Sequence, residues 1–184
     1  MSSKFMVKKS VLVLCRTGVL SAVALVLSIF EGMIPNLPFM LPGMKLGLSN
    51  LAVMISLEVC PLPCALCVVI IKALFALLSR GVTAFLMSLA GGILATLGMY
   101  LLVRQKKISF GCLGVGVFGA FLHNCGQLIV ALFLVFDAVY AYFPVLTLGA
   151  VVTGSVTGLV YYLVMPPLLK IPMMGEKPGD LQNL

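Results

Sequence analysis

Gly116-Val-Phe-Gly-Ala-Phe-Leu-His123-Asn124-Cys125-Gly126-Gln127-Leu-Ile-Val-Ala-Leu-Phe-Leu134 is apolar for long enough to cross a lipid bilayer, yet it carries an imidazole and two carboxamides at its centre. Hydrocarbon offers no water to solvate such groups, so each must face protein, a water-filled cavity or a ligand. His123 is the only histidine of the chain. The stretch decides the fold, because only a helix buried among other helices can hold it. It also marks where a bound molecule is expected.

The whole chain shares that solvent. Of 184 residues, 62% are hydrophobic and 9% are charged, against roughly half and a quarter in soluble domains. So few charges cannot cover a water-facing surface. The formal charge of +7 comes from cations concentrated in ends and links, which reads as membrane topology rather than a nucleic-acid footprint, and no nucleic-acid-binding motif is present. Lys4, Lys8 and Lys9 ahead of an apolar run resemble a signal peptide, but the run is too long for one and lacks a small-residue cleavage site, so it reads as a retained first helix. The six cysteines lie in or beside apolar segments, and Cys60, Cys64 and Cys67 straddle a Pro-Leu-Pro turn with no soluble domain around them. They read as small buried hydrophobes rather than a disulfide framework or a metal site.

Six spans are expected: Val11 to Ile34, Leu46 to Val59, Pro63 to Ser79, Val82 to Val103, Phe110 to Phe136 and Val145 to Leu169. The second and third are short enough to stop partway or lie aslant. Proline, glycine and basic residues punctuate the links, and residues 171–184 form a polar tail after a single domain of residues 1–170. Six crossings place the N-terminus, the Arg104–Lys107 link and the tail on one side. Nine cations lie there, against Lys45 and Arg80 on the other, leaving Lys72 inside the third span. Both termini are therefore expected in the cytoplasm. The fold class is an all-α integral membrane protein of six transmembrane helices.

Three spans carry stripes of small and polar residues at three- and four-residue steps: Ala84, Ser88, Gly91, Gly92, Ala95 and Gly98; Gly116, Gly119, His123, Gly126 and Gln127; Thr147, Ala150, Gly154, Thr157, Gly158 and Tyr161. Small residues let helix backbones approach closely in lipid, so Gly91, Gly92, Gly119, Gly154 and Gly158 read as packing positions. His123, Asn124 and Gln127 are too large for that role. His123 and Gln127 share a face, while Asn124 lies about 100° round, where it can serve a neighbouring helix; all three are expected to bind the ligand. Ser88 lies at a depth compatible with a cavity opening outward. An ionised Lys72 at mid-bilayer costs about 3 kcal/mol, so it either snorkels to the interface or faces the bundle with a partner. With Lys45 and Arg80 it forms a positive mouth suited to phosphate or carboxylate. Glu31 is expected near Lys45, and Glu58 near Arg16. No paired carboxylates, magnesium-binding Asp-rich motif, phosphate loop or nucleophilic triad is present, so the chain does not read as a catalyst on its own.

The segments Pro42-Gly-Met-Lys-Leu-Gly-Leu-Ser-Asn50, Ser88-Leu-Ala-Gly-Gly92 and His123-Asn-Cys-Gly-Gln127, in this order and with Arg80-Gly81 between them, resemble the Gx transporter family, often labelled heptaprenyl diphosphate synthase component I. That family is similar to the S components of energy-coupling factor (ECF) vitamin transporters. The resemblance implies a six-helix S-component-like bundle in the cell membrane, a substrate-binding subunit that takes a small ligand from outside. It places the site on the first loop and helices 4 to 6, which adds Asn50 to the ligand-binding candidates. It implies a transmembrane partner with ATPases, docked through small residues on helix 1, where Gly18 and Ala22 replace the usual Ala-x3-Ala. It offers a flavin or a prenyl diphosphate as ligand. As alternatives it offers an accessory role in prenyl diphosphate or quinone synthesis, or in a membrane redox complex.

Overall fold

Apolar runs closed by glycine, proline or arginine fold as the helices their lengths demand. The computed structural model describes residues 3–33, 47–104, 111–135, 139–171 and 174, with side chains described for residues 10–33, 47–104, 111–134, 143–171 and 174. The order is α1 (Ser3–Met33), α2 (Asn50–Val59), α3 (Leu62–Arg80), α4 (Val82–Arg104), α5 (Cys112–Val135) and α6 (Val139–Leu169), with no strand among the described residues. Five helices are long and apolar enough to cross a membrane. The exception is α2, whose 10 residues cover about 15 Å at 1.5 Å per residue.

α2 nevertheless runs back along α1. Its leading turn is held by Glu31 near one end of α1, through the backbone N–H groups of Gly47 and Leu48. Its last residue, Val59, accepts a 2.8 Å hydrogen bond from Arg16 Nη1. Glu31 and Arg16 are separated by about 22 Å of helix axis, so the segment from Gly47 to Val59 returns across most of the hydrocarbon. The six passes expected from the sequence are thus five long helices and one short one. An even number of passes puts the start of α1 and the end of α6 on one side of the membrane.

Some helix ends differ from the expected bounds. α2 starts at Asn50 rather than Leu46, because Gly47 has φ +89° and Leu48 and Ser49 form a turn. α6 starts at Val139 rather than Val145 and carries Pro144 within the helix. A transmembrane helix tolerates a proline where neighbouring helices and local adjustments satisfy the freed backbone groups. Gly81 has φ +87°, and its N–H closes α3 on the Leu77 carbonyl at 3.0 Å. Only glycine holds such an angle without strain.

α2 touches each of the other five helices, while α3 joins α1 to α4, and α5 lies between α4 and α6. It is the hub of the bundle, with Ala52, Val53, Met54, Ile55 and Val59 buried in the main core beside Leu20, Ala24, Val68, Val69, Ala95 and Met99. Large apolar side chains such as Leu14, Leu78, Phe133 and Leu148 point outward, as a lipid-facing surface requires.

The glycine stripes mark the crossings. A Cβ on Gly126 would meet Gly91 Cα at 2.6 Å, and one on Gly91 would meet the His123 carbonyl at 2.6 Å. Gly154 and Gly158 admit the α5 backbone at Gly116, Val117, Cys112 and Leu113, Gly92 receives Val69, and Gly119 receives Met99. Gly18 and Ala22 differ. Both are exposed, and a Cβ on Gly18 would meet nothing within 4 Å. The buried stripe of α1 is instead Thr17, Leu20, Ser21, Ala24, Ser28 and Glu31, which turns Gly18 and Ala22 away from the bundle.

Candidate functional site

The polar cluster of α5 turns inward. His123 is 2% exposed and Gln127 1%, and both line a narrow cavity together with Ser28 of α1, Ser49 before α2, Lys72 and Arg80 of α3, and Ser88 of α4. The four-residue step from His123 to Gln127 stacks them on the face of α5 that meets α4, where Gly91 and Gly126 bring the backbones together. Ser88 lies one turn before Gly91 on α4, so the same close crossing brings its hydroxyl to the cavity wall. By chain direction, Ser28, Ser49, Arg80 and Ser88 all lie toward the end of the bundle where α3 meets α4, while Lys72 and His123 lie deeper.

Lys72 does not snorkel. It is 2% exposed, and its Nζ donates a 2.9 Å hydrogen bond to Asn50 Oδ1. That bond fixes the amide, because only the oxygen can accept from an ammonium. Asn50 Nδ2 is left buried without a hydrogen-bond partner among the described residues. Asn50 lies behind the cavity wall rather than in it, near Gly47. A Cβ on Gly47 would sit 3.0 Å from Asn50 Nδ2 and 3.3 Å from His123 Cδ2. Gly47 is therefore required twice, by its positive φ and by the closeness of these two side chains.

Glu31 is 5% exposed and is bonded to Ser49, which lines the cavity. Its Oε1 accepts the N–H of Gly47 and that of Leu48, the latter at 3.2 Å, and its Oε2 accepts Ser49 Oγ at 3.3 Å. A carboxylate from α1 thus holds the turn that leads into α2. Arg80 lies within electrostatic reach of Glu31.

The expected site residues now sort by position. Lys72, Arg80, Ser88, His123 and Gln127 are brought together at one cavity, and Asn50 supports it through Lys72. Asn124 stands apart: its Nδ2 donates to the Leu146 carbonyl of α6 at 2.9 Å, and it lines a separate apolar cleft with Phe121, Leu128 and Phe143. It serves the neighbouring helix, as its angular offset requires. Lys45, and with it the expected pairing to Glu31, lies outside the described residues. Glu58 accepts the Tyr161 hydroxyl of α6, whereas Arg16 reaches the adjacent Val59 carbonyl. Helix 6, expected to line the site, contributes no residue to this cavity among the described residues, which come from α1, the turn before α2, α3, α4 and α5. Ser28, Ser49 and the hold of Glu31 on this turn were not foreseen. Their signal was the step of four, three, four and three linking Thr17, Ser21, Ala24, Ser28 and Glu31, a stripe as clear as those of α4 and α5.

Residues 20–164 match the family described as heptaprenyl diphosphate synthase component I. The chain belongs to that family. Its fold is similar to that of a solved structure described as an S-component of an ECF transporter, at 21% sequence identity and a TM-score of 0.56, over 100% of this chain and 93% of the other. At that identity the likeness concerns the fold alone, and it matches a multi-pass helical membrane bundle. A comparison with curated proteins gave no match.

Proposed function

We propose that this protein is the substrate-binding subunit of a transporter in the cytoplasmic membrane, capturing a small amphipathic anion from the outer side in the cavity between α1 and α5. One observation carries the reading: seven polar side chains from five parts of the chain, two of them cationic, line a single cavity within an otherwise oily bundle. Burying that many polar groups is costly unless they are hydrogen-bonded, and gathering them at one cavity offers their remaining donors and acceptors to a polar ligand. Lysine and arginine offer only donors, and the serine, glutamine and imidazole groups complete an anion-accepting wall. The enclosed space has room for about one water molecule, so the polar head of a flavin-like or prenyl phosphate-like molecule, its remainder extending outward, enters as the lining side chains move apart.

The fold of an ECF S-component supports the transporter part of this reading. The outward-facing Gly18 and Ala22 leave a flat strip on α1 where a transmembrane partner carrying ATPases would dock. A chain of this size has little room for two gates of its own, which favours such a partner.

The test is a binding assay in detergent with flavin and prenyl phosphate probes. His123→Ala and Gln127→Ala are each expected to weaken binding at least about tenfold, the loss of roughly 1.4 kcal/mol that one buried hydrogen bond to a charged group supplies. Unchanged affinity in both variants, for a probe that wild type binds, removes this cavity from consideration. The family's description favours one second reading, an accessory subunit in prenyl diphosphate synthesis. It requires that adding the protein to a partner synthase raise long-chain product formation, and no change in turnover counts against it.

A further inference from the structure

The apolar cleft between α5 and α6 holds a polar atom that the fold does not use. Phe121, Asn124 and Cys125 of α5 and Phe143 and Thr147 of α6 line it. Asn124 is 5% exposed. Its Nδ2 donates to the Leu146 carbonyl at 2.9 Å, and its Oδ1 is buried with no hydrogen-bond partner among the described residues. A tie between two helices accounts for the nitrogen and not for the oxygen. An acceptor left so inside hydrocarbon is costly.

The lining groups do not supply the missing donor. Thr147 commits its hydroxyl hydrogen to the Phe143 carbonyl at 2.8 Å, so its oxygen can only accept. Pro144 has no N–H, and the Cys125 thiol is a weak donor. The cleft thus offers acceptors on an apolar wall. With Phe143 where it stands, there is no room for a water molecule. The Phe143 ring is 45% exposed and meets Phe121 edge-on, with centroids 6.3 Å apart. It is the side chain whose swing opens the cleft to lipid.

We propose that this cleft binds a membrane-dissolved molecule with an apolar body and one hydroxyl, which donates to Asn124 Oδ1 once Phe143 swings aside. The site is separate from the anion cavity and does not depend on it. Depth selects the ligand. Asn124 lies at the middle of α5 (Cys112–Val135), roughly 18 Å from its start, in a hydrocarbon layer about 30 Å thick. Hydroxyls of phospholipid headgroups stay at the interface, so the ligand is a long-chain alcohol or phenol that sinks into the hydrocarbon. A ketone, an ether or a bare acyl chain has no hydrogen to donate.

The experiment is photo-crosslinking of the full chain in lipid bilayer discs with a diazirine-bearing long-chain alcohol, mapped by mass spectrometry. Label is expected in residues 121–128 and 143–147. Four competitors separate the sources: farnesol and 4-nonylphenol, each against its own methyl ether. At least one hydroxyl compound should compete at least about threefold more strongly than its ether, within the reach of one hydrogen bond. Which pair shows the margin tells whether the ligand is aliphatic or aromatic. Asn124→Leu keeps the volume and removes the acceptor, and should erase the margin. Thr147→Val should narrow it. The wild-type margin needs no variant, and the Thr147 hydroxyl is exposed, so a misfolded Asn124→Leu leaves the test intact.

Equal competition by hydroxyl compound and ether in both pairs means that the cleft takes apolar chains alone, and overturns the proposal. So does label spread evenly over the lipid-facing side of α3, or a margin that persists unchanged in every variant that folds. Binding of anionic probes that stays sensitive to His123→Ala would survive any of these results, so the two readings fail separately.

Discussion

Lys72 shows how a single residue is made tolerable in the wrong solvent. Its ammonium lies where hydrocarbon would be, and Asn50 supplies an oxygen at 2.9 Å. Removing that oxygen by Asn50→Ala should cost about 1–3 kcal/mol, the penalty for depriving a buried donor of a partner, and should lower the melting temperature in detergent. Lys72→Met, which removes the charge and keeps the stem, should recover most of that stability in the Asn50→Ala background while abolishing anion binding. Equal destabilisation by Lys72→Met alone would mean that the ammonium serves folding rather than a ligand. Gly47 makes the second case. Alanine at φ +89° carries a left-handed penalty of about 1–2 kcal/mol, and its Cβ would press on Asn50 and His123. Gly47→Ala should therefore reduce thermal stability and ligand affinity together. A normal melting curve with normal affinity would show that the turn does not hold these side chains in place.

The helices were legible to different degrees, for physical reasons. Long apolar runs with basic or glycine ends declared α3, α4 and α5 to within a few residues, because lipid leaves the backbone no alternative to a helix. α2 was misjudged by four residues, since Leu46 to Ser49 are as apolar as a helix start, and only the tertiary contact with Glu31 reveals the turn. The inward face of His123 and Gln127 was readable from their four-residue step, and the separate role of Asn124 from its offset. The hold of Glu31 on the turn before α2 was not, because it joins positions far apart in the chain. Gly18 and Ala22 resembled a packing pair, but in α1 the buried stripe lies one position away. At this scale the glycines give a contrast. Gly154→Leu should collapse the α5–α6 crossing, where even a Cβ meets the backbone of Val117, and should yield aggregated protein on gel filtration. Gly18→Leu, with open space around it, should leave the monodisperse peak and the melting temperature unchanged. A destabilised Gly18→Leu would contradict the outward orientation of that strip.

As a whole the molecule is a hub-and-rim bundle. α2 touches every other helix, the turn before it is held by Glu31, and its end is tied to α1 through Arg16 and Val59. The cavity lies toward the end of the bundle that holds Ser28, Arg80 and Ser88, which the cation bias is expected to put on the exterior. Reporter fusions at the two termini should both show cytoplasmic enzyme activity, and a cysteine reagent that cannot cross the membrane should label Arg80→Cys but not Arg104→Cys in intact cells. Opposite labelling would invert the topology and point the cavity toward the cytoplasm. The most direct measurement on the central claim is native mass spectrometry of the protein released gently from its membrane. Wild type should carry a small anionic molecule of one mass, and the His123→Ala, Gln127→Ala double variant should emerge bare. The same adduct on both proteins, or on neither, would contradict the account.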